Sequence, residues 1–201
     1  MSGGLPFGPV AAPLHLAIDM QPLFGAEGPW PVPGIEGLLP ACARLIAHDP
    51  GATAFARFLP AATPEAAPGR WAAYYRHWSE VTGAAEALLA VMAPLRARAP
   101  AAPLIDKPGY SAFSAPALEG LLARRGVETL ILSGVETDVC VLSTVLAAVD
   151  RGLRVILAED AVASADPAMH AATLALLGSR YALQVEIAPV ADILADWPRP
   201  A

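Results

Sequence analysis

The chain has 201 residues, of which 55% are hydrophobic and 16% charged, and its formal net charge is −6. This composition excludes a disordered chain, and the length favours one domain over residues 1–201, of which we expect 1–12 to be flexible. The sequence is acidic and contains no basic stripe, which argues against a nucleic-acid partner. Because no apolar run reaches the ~18 residues of a membrane helix and no signal peptide is visible, we expect a cytoplasmic protein without a membrane partner.

Short apolar runs alternate with segments of helical periodicity along the chain. The predicted strands are, in chain order, 14–18, 52–57, 104–106, 127–133, 153–158 and 182–187. The predicted helices are 34–48, 71–78, 86–92, 115–125, 137–151 and 167–180. Continuous apolar strands that alternate with helices predict a parallel sheet covered by helices on both faces. Ligands of such sheets bind at the carboxyl ends of the strands.

Three reactive side chains follow predicted strands. Asp19 comes directly after the first strand, Lys107 after the third, and Cys140 falls in the first turn of the helix after the fourth. Lys107 is the only lysine among 13 basic residues, so either chance or a need for a compact cation retains it. The carboxyl ends of parallel strands share one edge of the sheet, so we expect these three side chains to converge there.

These residue types suit acyl transfer from an amide. A cysteine attacks as thiolate, and a helix N-terminus or a nearby cation such as Lys107 lowers the thiol pKa. Asp19 can accept the thiol proton and pass it to a leaving amine. The turn over 133–137 can supply backbone N–H groups for an oxyanion. The alternative is structural: Cys140 packs in the core as we expect for Cys42, Asp19 caps a turn, and Lys107 lies on the surface.

Three segments resemble the isochorismatase-like cysteine hydrolase superfamily: AIDMQ (17–21), KPGYSAF (107–113) and SGVETDVCVLSTVLAAVDRGLRVILAEDAVAS (133–164). The resemblance spans residues 14–187 and implies one hydrolase domain with a Rossmann-like three-layer α/β/α fold and a six-stranded, mostly parallel sheet. It implies that Cys140 is the nucleophile, Asp19 the general base and acid, and Lys107 the residue that positions Asp19 and polarises the thiol.

The resemblance also implies a cis peptide bond and an oxyanion hole, and it indicates which reaction of the family this chain catalyses. The cis bond maps to Val135–Glu136, and the backbone amides of Glu136 and Cys140 would form the oxyanion hole. The cysteine argues against vinyl-ether cleavage, since true isochorismatases lack it. Nicotinamidases of the family place an Asp and a His of a metal site where this chain has Phe58 and Pro60. We therefore expect no metal and no cofactor.

Candidate pocket residues are mostly aromatic. Residues 71, 74, 75 and 78 are Trp, Tyr, Tyr and Trp, a spacing that places them on one helical face. This face either covers the substrate, with Arg57 or Arg76 meeting an anionic group, or packs on the sheet or on another subunit. From their positions we expect the following residues to line the pocket: Phe24, Trp71, Tyr75, Tyr110, Phe113 and Val139. Such a pocket suggests a small neutral or weakly polar amide.

The sequence therefore predicts a cysteine-dependent amidohydrolase that cleaves a C–N bond of a small amide or ureide through a thioester. The alternative is a catalytically silent subunit of the same fold that binds a small metabolite. A nucleotide-binding protein is disfavoured, because Asp19–Pro22 stands where a glycine-rich loop would follow the first strand. We expect a homo-oligomer, either a dimer or a tetramer.

Overall fold

A computed structural model of the chain describes residues 4–199. Six strands form one sheet in the order β3-β2-β1-β4-β5-β6, and all five neighbouring pairs are parallel. The strands are β1 Pro13–Ile18, β2 Thr53–Phe58, β3 Leu104–Lys107, β4 Thr129–Val135, β5 Arg154–Ala163 and β6 Val185–Ala188. The predicted α/β fold with a six-stranded sheet is confirmed.

Helices cover both faces of this sheet. They are α1 Leu39–His48, α2 Arg70–His77, α3 Glu86–Leu89, α4 Ala93–Arg96, α5 Pro116–Arg125, α6 Leu142–Val149, α7 Pro167–Arg180 and α8 Val190–Asp196. Helices α1, α4 and α8 pack into one hydrophobic core, and α5, α6 and α7 into the other. The sheet is the middle of three layers, as predicted.

The strands supply both cores by the two-residue alternation of side chains. In β1, Leu14, Leu16 and Ile18 face the core of α5–α7. Ala17 faces the opposite core, and His15 is also fully buried. Burial on both faces explains why the strands are continuous apolar runs.

Several boundaries differ from the predicted ones. The predicted helix 34–48 begins with the 3-10 turn Ile35–Leu38, and the predicted helix 137–151 begins with the π-helical turn Thr137–Val141. Helices α4 and α8 were not predicted, because four and seven residues give little periodicity. Among residues 4–199, no helix is long and apolar enough to cross a membrane.

The described part of the N-terminal segment packs against the fold. Leu5 and Val10 are buried, and the Leu5 N–H donates to the carboxylate of Asp196. Of residues 1–12, for which the sequence predicts flexibility, 1–3 lie outside the described residues. The apolar side chains at positions 5 and 10 supply the burial that ordering the segment requires.

The end of β4 passes very close to β1. Gly134 has a φ of +109°, and a Cβ at this position would overlap the carbonyl oxygen of Ile18. Only glycine combines this backbone conformation with such an approach. The strand order reverses between β1 and β4, and ligands of open α/β sheets bind at such a switch point.

Candidate functional site

Asp19, Lys107 and Cys140 meet at the carboxyl edge of the sheet. Lys107 Nζ lies 2.8 Å from Asp19 Oδ2 and 3.3 Å from Cys140 Sγ, and it also donates to the Gly109 carbonyl oxygen at 3.2 Å. Lys107 reaches over the end of β2, with Nζ 4.9 Å from the centroid of the Phe58 ring. The three residues thus come together as the strand ends predict.

The group is almost closed to solvent. Asp19 and Lys107 are 0% exposed and Cys140 is 6% exposed, so Cys140 is the one member of the group with any exposed surface. The Asp19 backbone has a φ of +53°, and its N–H donates to the Ala56 carbonyl oxygen at 2.9 Å. A non-glycine residue in this left-handed region is uncommon and frequent at functional sites.

The pKa directions set the resting protonation of the group. Burial raises the pKa of the Asp19 carboxyl, an effect that Lys107 opposes. Burial would lower the pKa of Lys107, but the charges of Asp19 and Cys140 outweigh it and raise that pKa. Burial and the Asp19 carboxylate raise the pKa of Cys140 well above the usual thiol value. The expectation of a lowered thiol pKa is therefore wrong, because burial and Asp19 outweigh the Lys107 cation.

This arrangement favours an ion pair beside a neutral thiol. Apart from the Lys107 contact, neither oxygen of the Asp19 carboxylate has a well-formed hydrogen bond among residues 4–199. A buried carboxylate with spare acceptor capacity and a raised pKa can take a proton. Chemically, the thiol can become a thiolate by giving its proton to Asp19 while Lys107 stays charged.

The turn that carries Cys140 is anchored on several sides. The peptide bond between Val135 and Glu136 is cis, at the position that the resemblance implies. The Glu136 carbonyl oxygen accepts from the N–H groups of Val139 and Val141, at 3.1 and 3.0 Å. The Thr144 hydroxyl donates to the Cys140 carbonyl oxygen at 2.8 Å.

A second contact fixes the turn to α7. Thr137 Oγ1 and His170 Nδ1 are hydrogen-bonded at 2.8 Å, and Thr137 is fully buried. This bond joins the first residue of the π-helical turn to the helix packed beside it. The sequence offered no signal for this contact, since 33 positions separate the two residues.

A cavity of about 340 Å³ is lined in part by Cys140. Such a volume fits a small molecule. Six aromatic residues line it: Phe24, Trp30, Phe58, Tyr74, Trp78 and Tyr110. The other lining residues are Pro29, Pro31, Glu136, Val139, Cys140 and Ala165. Of the predicted pocket residues, Phe24, Tyr110 and Val139 line this cavity.

The other three predicted pocket residues do not line it. Tyr75 is 2% exposed and lies on the buried side of α2, and Trp71 stacks on its ring with a centroid separation of 5.8 Å. Trp71 instead lines a neighbouring outer groove with Tyr74 and Tyr110. Phe113 lies beneath the guanidinium of Arg151, 4.3 Å from its ring centroid. The helical spacing identified the aromatic face but not which part of it borders the cavity.

Four residues that line the cavity were not predicted to do so: Trp30, Phe58, Tyr74 and Trp78. Tyr74 and Trp78 belong to the aromatic stripe that the sequence does show. Phe58 ends β2, and the buried Gln21 side chain holds its backbone by accepting from its N–H at 2.8 Å and donating to its carbonyl oxygen at 3.1 Å. Trp30 stands between prolines outside any periodic segment, so no sequence signal pointed to it.

The two arginines considered for the pocket are engaged elsewhere. Arg57 makes a bidentate pair with Asp106, at 2.7 and 2.9 Å, and contacts Glu86 at 3.2 Å. Arg76 is mostly exposed and lies 3.8 Å from Glu65. Neither side chain lines the cavity beside Cys140.

The residues at this edge also do not form a metal centre. Within residues 4–199, no group of three or more His, Cys, Asp or Glu is placed to hold a metal ion. Phe58 presents an aromatic ring to the cavity, and neither this ring nor Pro60 offers a donor atom. The donor set therefore does not fit the metal site of nicotinamidases.

Comparison with known proteins matches most of the chain to one family. A family model described as "Isochorismatase domain" matches residues 13–188. The chain is 35% identical over 83 residues to nicotinamidase 3 of Arabidopsis thaliana, a match covering 41% of this chain and 42% of that protein. It is 40% identical over 73 residues to ureidoacrylate amidohydrolase of Methylobacterium radiotolerans, a match covering 36% of this chain and 28% of that protein. These matches thus span less than half of either relative.

The fold also matches a solved structure along its whole length. A cysteine hydrolase from Pseudomonas syringae pv. phaseolicola 1448A superimposes with a TM-score of 0.83 over 98% of each chain, at 21% sequence identity. At this identity the likeness concerns the fold, including the sheet whose carboxyl edge carries Asp19, Lys107 and Cys140.

Proposed function

Because the chain belongs to the isochorismatase family, we propose that it is a cysteine-dependent amidohydrolase that cleaves a C–N bond of a small amide or ureide. The contact of Asp19, Lys107 and Cys140 beneath a small-molecule cavity carries this proposal. The names of the two curated relatives, a nicotinamidase and a ureidoacrylate amidohydrolase, support the same reaction class. One domain over residues 1–201, a cytoplasmic location and a homo-oligomeric assembly belong to the same proposal.

In the first half of the reaction, Cys140 forms a thioester. Asp19 takes the thiol proton while Lys107 remains protonated between the two groups, so the buried cluster keeps its net charge. The thiolate attacks the amide carbonyl carbon, and the N–H groups of Glu136 and Cys140 stabilise the oxyanion. Asp19 then returns its proton to the leaving nitrogen, the C–N bond breaks, and ammonia or an amine departs.

The second half regenerates the thiol. Asp19, again ionised, takes a proton from a water molecule that attacks the thioester carbonyl. Collapse of the second tetrahedral intermediate breaks the C–S bond and releases the acid, and the sulfur recovers its proton from Asp19. Phe58 and Pro60 offer no metal ligands, so the proposed cycle uses only the side chains of the cluster and the backbone of the turn.

Ammonia release across a panel of small amides tests the proposal. The panel contains nicotinamide, maleamate, N-carbamoyl amino acids, biuret and ureidoacrylate, each assayed with wild type and with Cys140→Ala. We expect release from at least one compound by wild type and loss of that release in Cys140→Ala, whose folding circular dichroism would check. Equal release by the variant would show that Cys140 is not the nucleophile. Binding of a panel compound without release by wild type would favour the silent alternative.

A further inference from the structure

The cavity beside Cys140 carries a net negative charge. Among its lining residues, Glu136 is the one with a carboxylate side chain, and no arginine, lysine or histidine lines it. The adjoining Asp19–Lys107 ion pair is neutral as a unit. A molecule in the cavity therefore meets one uncompensated negative charge.

The carboxylate of Glu136 is only half satisfied by the protein. Its Oε2 accepts from the Ala165 N–H at 2.8 Å. The Ser164 hydroxyl lies 3.3 Å from the same oxygen, but its single proton goes to the nearer carboxylate of Asp138. Its Oε1 accepts no hydrogen bond from residues 4–199 and depends on water or on a ligand. An apolar substrate in the cavity would leave the Glu136 carboxylate beside a neutral group and with less water around it, which costs free energy.

The aromatic walls also favour a positively charged ligand. The Trp30 ring lies 5.8–6.2 Å from four other rings of the cavity, at interplanar angles between 37° and 85°. The π faces of aromatic rings attract cations and repel anions. The wall already holds one cation this way, since Lys107 Nζ lies over the Phe58 ring.

The basic groups nearby do not change this balance inside the cavity. Arg57 is paired with Asp106 and Glu86, and Arg76 is directed to Glu65. Arg70 and His77 are exposed and line the outer groove, separated from the cavity by Tyr74, Trp78 and Tyr110. An anionic group next to Cys140 would thus face Glu136 and π faces without a cation to pair with.

We infer that the substrate is an amide whose non-reacting end carries a fixed positive charge, an alkylated ammonium group held by the aromatic walls and Glu136. This inference rests on the proposed amide hydrolysis at Cys140 and narrows its substrate class. The carbonyl carbon lies against the sulfur, and the ammonium group fills the ring-lined part of the cavity. A cation there supplies the positive charge that no lining residue offers to the Glu136 carboxylate.

A matched pair of probes isolates the charge. Betaine amide and 3,3-dimethylbutanamide have the same shape and differ in a quaternary nitrogen replacing a carbon, and malonamate supplies an anionic amide. Binding is measured by calorimetry to the Cys140→Ala protein, so the result does not depend on turnover, and ammonia release by wild type is measured in parallel. We expect betaine amide to bind at least about tenfold more tightly than its neutral isostere, and malonamate to bind most weakly.

A substitution of Glu136 tests the source of that preference. Glu136→Gln keeps the acceptor for the Ala165 N–H and removes the charge, so in the Cys140→Ala background the betaine amide preference should fall several-fold. Glu65→Gln removes the same charge at an exposed site outside the cavity and should leave the preference unchanged. Equal or tighter binding of the neutral or anionic amide, no binding of any probe, or an unchanged preference in Glu136→Gln would overturn the inference. Selective binding without ammonia release would support it and count instead against the proposed function.

Discussion

At the scale of single residues, Lys107 is held by three acceptors. Its ammonium contacts Asp19 Oδ2, Cys140 Sγ and the Gly109 carbonyl oxygen in a fully buried position. Three donors on one compact nitrogen match this arrangement, whereas the wide planar fork of arginine does not. This geometry gives a physical reason why the only lysine of the chain stands here.

Lys107→Arg should therefore lose most activity despite keeping the charge. A guanidinium must displace Asp19 or Cys140, and a misplacement of about 1 Å costs about 100-fold in rate. The measurement is kcat/KM on an amide that wild type hydrolyses, with circular dichroism to confirm folding. Arg125→Lys, a surface change at a side chain that donates to the Gly51 carbonyl oxygen, serves as control. A near-normal rate in Lys107→Arg would show that the site does not require a lysine at this position.

The pKa of Asp19 predicts where activity is lost in acid. Because Asp19 must be ionised to take the thiol proton, kcat/KM should fall as the pH drops through its pKa. Burial raises that pKa, so the acid limb should have its midpoint above the ordinary carboxyl value of 3.8. The check is a pH profile of kcat/KM under conditions where the protein stays folded. An acid limb at or below the ordinary value would argue against Asp19 as the base.

At the scale of secondary structure, the junction of β1 and β4 determines where Asp19 and Cys140 meet. Gly134→Ala should destabilise the protein severely, by about 4 kcal/mol or more, because the methyl group overlaps the Ile18 carbonyl oxygen. Gly152→Ala is a matched control with a positive φ of 74° and open space, and it should cost only about 1 kcal/mol. Urea unfolding measures both. Equal losses in the two variants would mean that the close approach is not what requires glycine.

The helices and strands also show what the sequence could reveal about the site. Asp19, Lys107 and Cys140 were predictable because the ends of apolar strands place them at one edge. The stripe on α2 was predictable as a face, but its spacing cannot tell which rings border the cavity, and Tyr75 turned out to be buried against the core. The place of Trp30 could not be predicted, because three of the four rings around it are distant in sequence.

At the scale of the whole molecule, a buried histidine in the sheet couples folding to pH. His15 is fully buried with Nε2 hydrogen-bonded to Ser133 Oγ at 2.8 Å, and burial lowers its pKa from 6.5 to about 3. Between about pH 6.5 and pH 3, His15 therefore binds a proton in the unfolded chain but stays neutral in the folded protein. The stability from this residue is present above pH 6.5 and is lost as the pH falls toward 3.

His15→Gln should accordingly flatten the acid side of the stability curve. Glutamine retains a polar partner for Ser133 without a titrating group, so the variant should lose about 2 kcal/mol less than wild type between pH 7.5 and pH 5. Urea unfolding at the two pH values measures this difference, because other titrating groups contribute alike to both proteins. An identical loss in the two proteins would show that His15 is not the source.

The sheet can be predicted from the sequence more completely than the cavity. Strands buried on both faces produce continuous apolar runs, so β1 and β4 are recognisable in the sequence as the runs 14–18 and 127–133. The protonation of Cys140 is not recognisable there, because the rise in its pKa depends on how completely the fold removes water around it and Asp19. The apolar pattern of a strand is local in sequence, whereas desolvation is a property of the assembled molecule.

Acyl transfer from Cys140 to hydroxylamine during turnover tests the thioester intermediate directly. A thioester intermediate reacts with hydroxylamine to give a hydroxamate, whereas direct attack by water on the amide gives only the acid. With any amide that wild type hydrolyses, we expect hydroxamate to form in proportion to hydroxylamine concentration. Neither hydroxamate nor acid should form with folded Cys140→Ala. Ammonia and acid released without hydroxamate, at a rate that Cys140→Ala retains, would show that the protein does not hydrolyse amides through a Cys140 thioester.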